Sequence, residues 1–314
     1  MNIIGLDQVK KYMSAPTESL HIKPASTFLD KVLAKIEGTD DDIVGDRLPW
    51  DKSWNLFRAR PKEVTIITGY NGHYKSMLLN YIILDLLRFR KCLIVSPEMP
   101  PDETLYRMTL QAAGNGEPTP QFATTFANWT DNRLWLYEQT DSMKTDVLKA
   151  VIRFASTELN IRHVVVDSLM MCGTDGGDSH GSLKQEKEFV RDLTSLAKDH
   201  NIHIWLVAHA RKAGDRDERK PPGKQDVSGS GHITNLASNV FSCWHNVVRK
   251  EKLENLELSD KERKDIESAP EFLLTCCKQR NGAWQGKVAF WMNEGLQFVE
   301  NYGDRATIRD YGEQ

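Results

Sequence analysis

The stretch Gly69-Tyr70-Asn71-Gly72-His73-Tyr74-Lys75-Ser76 follows an apolar run, Val64–Thr68, and precedes a helical one. Its spacing is that of a phosphate-binding loop, G-x-x-x-x-G-K-[ST], except that Tyr74 stands in place of the second glycine. In such a loop backbone N–H groups and a helix amino terminus wrap phosphate oxygens, the lysine neutralises charge, and the hydroxyl ligates Mg²⁺. An ordinary strand-to-helix loop can also hold Gly and Lys, so the other motifs decide. Tyr74 keeps its N–H donor, as any residue but proline does. Nucleotide binding is therefore expected to survive there with altered kinetics, and impaired turnover is the competing expectation.

Three further residues close apolar runs at positions suited to phosphate chemistry. Glu98, in Ser96-Pro97-Glu98-Met99, could orient and deprotonate a water attacking a γ-phosphate, or serve only as a helix-capping acid. Asp167 ends Val164-Val165-Val166-Asp167 and could hold Mg²⁺ through water. His209 follows Trp205-Leu206-Val207-Ala208 and could sense phosphate, or be a satisfied strand-end histidine.

The elements that must position these residues are legible as short β-branched runs alternating with longer helical ones, the pattern of a parallel sheet with crossover helices. Strands are expected at Val64–Thr68, Cys92–Ser96, Leu134–Tyr137, Val164–Asp167 and His203–Ala208. Helices are expected near Ser76–Phe89, Asp102–Ala113, Lys144–Leu159 and Ser182–His200. Every candidate then lies at a carboxyl-terminal strand edge, where open α/β sheets bind ligands. Four later runs, Val240–His245, Phe272–Cys277, Val288–Met292 and Leu296–Val299, lack long intervening helices and are expected to extend the sheet antiparallel. Arg249 to Ser268 reads as an exposed, mixed-charge helical insertion. Ahead of this body, Ser26 to Glu37 places Phe28, Leu29, Val32, Leu33 and Ile36 at helical spacing. The chain thus divides into an N-terminal segment with an amphipathic helix (1–45), an α/β body (46–302) and a C-terminal tail (303–314).

Composition narrows the function class. In 314 residues, 41 Lys+Arg stand against 44 Asp+Glu, a net charge of −3, which by itself argues against a nucleic-acid partner. No apolar run approaches the roughly 18 residues of a membrane span, and the amino terminus is not a secretory signal. Five cysteines without C-x-x-C spacing argue against a disulfide framework or zinc site. A cytoplasmic protein is expected.

Taken in order, these motifs resemble the hexameric replicative DNA helicases of the RecA-like class, including DnaB, Twinkle and the helicase half of phage primase-helicases. The resemblance covers about residues 47–300. Leu48-Pro49-Trp50 and Arg60-Pro61-Lys62-Glu63 resemble the lead into the family's first strand. Ser96-Pro97-Glu98-Met99 resembles its S-x-E-M motif, Val166-Asp167-Ser168-Leu169 its Walker B strand, and Ala208-His209 its sensor. Gly229-Ser230-Gly231 resembles the close of its second DNA-binding loop, and Lys278-Gln279-Arg280-Asn281-Gly282 its K-x-R-x-G strand end.

The resemblance implies a RecA-like P-loop NTPase core, mostly parallel with helices on both faces, that uses ATP or another NTP with Mg²⁺. It implies Lys75 and Ser76 on phosphate and metal, Asp167 positioning metal, Glu98 activating water and His209 sensing phosphate. Arg280, with Lys278 as companion, would reach a neighbour's γ-phosphate, which requires an oligomer, a hexamer in this family. The helix at 26–37 would dock on the adjacent subunit. Single-stranded DNA would run past 172–181 and past 211–231, where Arg211, Lys212, Lys224, Ser228, Gly229, Ser230 and Gly231 are the candidate contacts. Where some relatives carry Arg before G-S-G, this chain has Ser228. A primase, polymerase or loader is an implied partner, and priming is not expected of this chain. Rival functions are a RecA-like recombination or remodelling ATPase and a nucleotide-binding scaffold stalled by Tyr74. The near-neutral charge loses its force here, because Arg211 to Lys224 holds six Lys/Arg to three Asp/Glu and only a channel-facing loop needs cations.

Overall fold

The structure is a computed structural model that describes residues 24–37, 45–138, 143–169, 179–210, 218–226, 231–255, 257–309 and 311. They fall into two units divided after Val44, each taken by itself. The first contains a 3-10 turn, Ala25–Phe28, and helix α1, Leu29–Glu37. The expected apolar stripe forms, with Phe28, Leu29, Val32, Leu33 and Ile36 all exposed.

The second unit runs β1 (Val64–Gly69), α2 (Lys75–Leu86), β2 (Cys92–Val95), α3 (Pro101–Ala113), α4 (Pro120–Thr130) and β3 (Leu134–Leu136). It continues with α5 (Thr145–Glu158), β4 (His163–Val166), α6 (Ser179–Asp199), β5 (His203–His209), α7 (Gly231–Leu236) and β6 (Asn239–His245). Helices α8 (Val247–Leu253) and α9 (Asp260–Ser268) precede β7 (Phe272–Gln279), β8 (Gly286–Met292) and β9 (Phe298–Val299). One nine-stranded sheet has the order β3-β2-β4-β5-β1-β6-β7-β8-β9. Pairing is parallel from β3 to β6 and antiparallel from β6 to β9. The sequence expectation of four antiparallel strands thus needs one correction: β6 pairs β1 in parallel, Thr65 facing Asn239, and reversal begins at β7.

The two-residue side-chain period sorts the strands' apolar residues onto two cores. Ile67, Ile94, Val165, Trp205 and Val207 face one, shared with α2, while Ile66, Leu93, Val164, Ile204 and Leu206 face the other, shared with α5 and α6. Burial on both faces is why these strands read as unbroken β-branched runs. Helix α2 is buried on nearly all sides, from Met77 to Leu86, and its sequence is correspondingly apolar all round. Trp50 locks the lead-in segment to the far end of the sheet: its Nε1 donates to the Phe298 carbonyl at 2.6 Å and its ring lies 4.3 Å from Phe290. The mixed-charge insertion forms two short helices with no buried residues, α9 starting from a Ser259/Glu262 capping box. The stretch beyond 302 lies against the body, with Arg309 paired to Asp85 at 2.8 Å and the Tyr311 ring 4.8 Å from Trp129.

At the opposite edge from the phosphate-binding loop, His163 and His203 begin β4 and β5 in full burial. Asp46 accepts from Arg90 at 3.0 Å and lies 2.9 Å from His163 Nε2. His203 Nδ1 is 2.6 Å from the Arg60 carbonyl, so that nitrogen carries the proton, and Nε2 is buried without a partner. Burial, with His163 alongside, pushes the His203 pKa down to about 3. The imidazole is therefore neutral in the fold but takes up a proton on unfolding once pH falls below 6.5. Its contribution is fully present above that value and is lost as pH falls towards 3. Between pH 6.5 and 5 the loss is about 2 kcal/mol. Urea unfolding at the two pH values should show this drop, and His203→Gln should shrink it by that amount.

Candidate active site

The loop after β1 is set by close approach. A Cβ on Gly69 would sit 2.3 Å from the Cys243 carbonyl oxygen of β6, so only glycine fits there. Gly72 has φ +75°, in open space. Tyr74 takes φ 59°, ψ 25°, the left-handed conformation that the missing glycine would have supplied. That costs a bulky residue roughly 1–2 kcal/mol. Its ring packs edge-on against His245 and Phe272, at centroid distances of 5.2 and 5.3 Å, so it leans on β6 and β7 while lining the cleft. His73 is buried beneath it and accepts from the His245 N–H at 3.1 Å through Nδ1. Burial and the nearby Lys75 charge push His73 down to about 4, which keeps it a neutral acceptor.

Lys75 opens α2, is 6 % exposed, and donates to the Tyr70 carbonyl at 2.9 Å. Burial lowers its pKa. Ser76 Oγ donates to Asp167 Oδ2 at 2.5 Å. Asp167 is 4 % exposed, and its other oxygen, Oδ1, is buried with no hydrogen-bond partner. Burial raises its pKa, and Glu98 adds to the rise. A hydroxyl and a carboxylate with an unsatisfied oxygen form a hard donor set that fits Mg²⁺, an ion commonly held by one or two carboxylates plus substrate phosphates.

Glu98, just past β2, accepts hydrogen bonds from Ser168 Oγ and, at 3.3 Å, from His209 Nε2 at the end of β5. The His209 hydrogen bond is the largest effect lowering its pKa; Ser168 and the Lys75 charge add to it, against the opposing cost of burial. The carboxylate is therefore a charged acceptor. Lys75, Ser76, Glu98, Asp167 and His209 line one cleft of about 840 Å³ whose far wall is α3. The sequence-predicted cluster thus comes together, with Ser168 as a contact that strand-end reasoning did not assign. The role of the loop positions Tyr70 and Asn71 is narrower: Tyr70 supplies the carbonyl that holds Lys75, and Asn71 lines the cleft mouth.

Arg280 and Lys278 are not in that cleft. Arg280 N–H donates to the Ser238 carbonyl and Ser238 N–H to that of Val64, which places Arg280 level with the start of β1. The phosphate-binding loop begins at Gly69, five residues and about 17 Å further along the strand. Arg280 is exposed, with Nη2 donating to the Asn235 carbonyl at 3.0 Å. Lys278 Nζ donates to the carbonyls of Thr234, Asn235 and Ala237 at 2.9, 3.0 and 2.6 Å, capping the carboxyl end of α7. Burial, Arg280 and Lys224 push Lys278 down to about 8. Glu63, 3 % exposed, grips both sides of this corner, accepting from Asn239 at 2.8 Å and Asn281 at 2.6 Å.

Of the candidate DNA contacts, Arg211, Lys212, Ser228, Gly229 and Ser230 lie outside the described residues, as do residues 172–178 of the first candidate loop, whose end, 179–181, begins α6. Lys224 sits in a 3-10 turn, Lys224–Asp226, and Gly231 begins α7. Arg219 Nη2 pairs with Glu251 at 3.2 Å.

The family described as "AAA domain" matches residues 39–215. A Twinkle homolog protein, chloroplastic/mitochondrial, from Arabidopsis thaliana is 20% identical over 244 residues, covering 70% of this chain, which spans about a third of that relative's length. A solved ATPase domain superposes with TM-score 0.73 at 15% identity over 89% of this chain and 99% of its own. A DnaB-like replicative helicase, solved in a study of its interactions with primase, superposes with TM-score 0.70 at 16% identity over 88% of this chain and 67% of its own. The chain belongs to the AAA domain family, on the RecA-like fold it shares with those two structures.

Proposed function

We propose that this chain is a ring-forming, NTP-dependent DNA helicase that moves on single-stranded DNA and separates duplex. The carrying observation is the separation of the site into two halves: the phosphate, metal and water-activating residues share one sheet edge, and Arg280 sits at the other. A catalytic arginine in that position acts only on a neighbour's nucleotide, and closed symmetric assembly supplies a neighbour at every site. The hexamer is the ring size the family resemblance favours, with α1 docking on the adjacent subunit. The likeness to Twinkle and to a DnaB-like helicase supports DNA as the track.

In this reading Lys75 leaves the Tyr70 carbonyl for the β- and γ-phosphates, and the loop N–H groups from Gly69 to Ser76 cradle them. Ser76 and Asp167 hold Mg²⁺, which when bound neutralises charge on the phosphate oxygens. Glu98 takes a proton from the attacking water as its oxygen bonds to the γ-phosphorus and the bond to the β-phosphate oxygen breaks, releasing the diphosphate. The neighbour's Arg280 stabilises the equatorial oxygens, His209 links the γ-phosphate to Glu98, and the 211–231 loop grips DNA.

Phosphate release with and without single-stranded DNA tests the reading, in the wild type and in Tyr74→Gly. DNA should stimulate wild-type hydrolysis several-fold. The glycine variant relieves left-handed strain of roughly 1–2 kcal/mol but gives up the ring's contacts with His245 and Phe272, so its rate should stay within about tenfold of wild type. A DNA-insensitive wild type beside a strongly active glycine variant would turn the assignment to a stalled scaffold.

A further inference from the structure

Arg280 is exposed on the turn that joins β7 to β8, and where its guanidinium reaches depends on how the root of that turn is held. Three contacts hold it. The Arg280 N–H donates to the Ser238 carbonyl at 3.0 Å. Gln279, 7 % exposed, turns its side chain inward, where Nε2 donates to the carbonyls of Leu56 and Trp284, each at 3.0 Å. Asn281 Nδ2 donates to Glu63 Oε1 at 2.6 Å.

The third contact ends on a buried carboxylate. Glu63 is 3 % exposed, and its other oxygen, Oε2, accepts from Asn239 Nδ2 of β6 at 2.8 Å; that nitrogen also donates to Thr65 Oγ1 at 3.0 Å. Both oxygens thus accept from side-chain amides, one fixed in the sheet and one in the Arg280 turn. A carboxylate can accept at both ends, whereas a glutamine would set one NH₂ group against another. Taking a carboxylate out of water costs free energy, and what this one secures is the position of a turn. Glu63 does not line its own chain's cleft, being six residues and about 20 Å of strand from Gly69.

We propose that Glu63 is a positioning residue for hydrolysis at the adjacent subunit's site: by tying Asn281 to Asn239 it fixes the turn from which Arg280 reaches across. This rests on the reading of Arg280 as a finger that acts in trans. Misplacing a reacting group by about 1 Å can cost about 10²-fold in rate, which sets the scale of the expected effect.

Hydrolysis by the full chain, alone and in random equal mixtures of variants, tests the assignment, with nucleotide titration beside it. Glu63→Gln should lower kcat by about 10- to 100-fold and leave KM and nucleotide affinity unchanged. Mixed with Lys75→Ala subunits, which should lose phosphate binding but still present a well-held Arg280, it should recover hydrolysis at about a quarter of the interfaces. Mixed with Arg280→Ala subunits it should recover none, because both lack a working finger. Asn281→Ala, a truncation on the exposed turn, should keep its fold by circular dichroism and behave as Glu63→Gln does, so it carries the same test if Glu63→Gln fails to fold. Wild-type rates in both variants, or a loss that Lys75→Ala subunits do not repair, would overturn the assignment. Mixing Lys75→Ala with Arg280→Ala separates the two levels. If those two fail to restore each other, the trans reading of Arg280 is lost; if they succeed while Lys75→Ala does not repair Glu63→Gln, only the role of Glu63 is lost.

Discussion

Arg280→Ala is expected to lower nucleotide hydrolysis by about 10³–10⁵, the range associated with loss of an arginine finger, while nucleotide affinity in the cleft falls little. The residue lies level with Val64, at the far end of β1 from Gly69, so the variant's own phosphate and metal ligands are untouched. The decisive measurement is complementation. On the proposed mechanism Lys75→Ala subunits should lose phosphate binding but still present Arg280, and Arg280→Ala subunits should bind nucleotide and lack only the finger. Each homo-oligomer should be inactive, and a random equal mixture should recover hydrolysis at about a quarter of its interfaces in a closed ring. No recovery on mixing, with both variants assembled, would mean that Arg280 acts within its own chain or only braces α7. Lys278→Ala gives the contrast, because its ammonium is spent on three carbonyls at the end of α7. That substitution should lower the melting temperature and affect hydrolysis through the corner it holds.

Local chemistry made the parallel core readable: β-branched runs buried on both faces, a phosphate-loop spacing, and acids at strand ends. What stayed hidden was set by contacts distant in sequence. Helix α4 is the exception: it carried a start signal, Thr119 capping the Phe122 N–H with Pro120 in the first turn, and an apolar period, Phe122, Phe126 and Trp129, so it was legible although no helix was expected there. The seat of the Tyr74 ring is made by His245 and Phe272, more than 170 residues away. Lys278 was expected beside Arg280, and its hold on three carbonyls at the end of α7 exists only once that helix is folded. Ser168 gains its place only because β4 and β5 bring it against Glu98.

The second large effect is expected at Glu98. Glu98→Gln should lower hydrolysis by about 10²–10⁴, the usual worth of a positioned general base, and leave nucleotide binding in place, because the amide keeps an oxygen for Ser168 yet cannot take the water's proton. The wild-type carboxylate is kept charged chiefly by the His209 hydrogen bond, with Ser168 and Lys75 assisting against burial. Its pKa therefore lies below the ordinary 4.5, and the acidic limb of the rate profile due to Glu98 should fall below that pH. Ser168→Ala removes one of the stabilising donors without touching the carboxylate. The sign follows from linkage: fewer donors to the charged form raise its pKa, so the limb should move upward while the plateau at neutral pH changes little. His209→Ala should move it further, since that bond is the largest contribution, and should also weaken DNA stimulation if His209 carries the γ-phosphate signal towards the 211–231 loop. A limb that stays in place in both variants would show that Glu98 is not the base whose ionisation governs turnover, and a Glu98→Gln enzyme with near-wild-type hydrolysis would remove it from the mechanism.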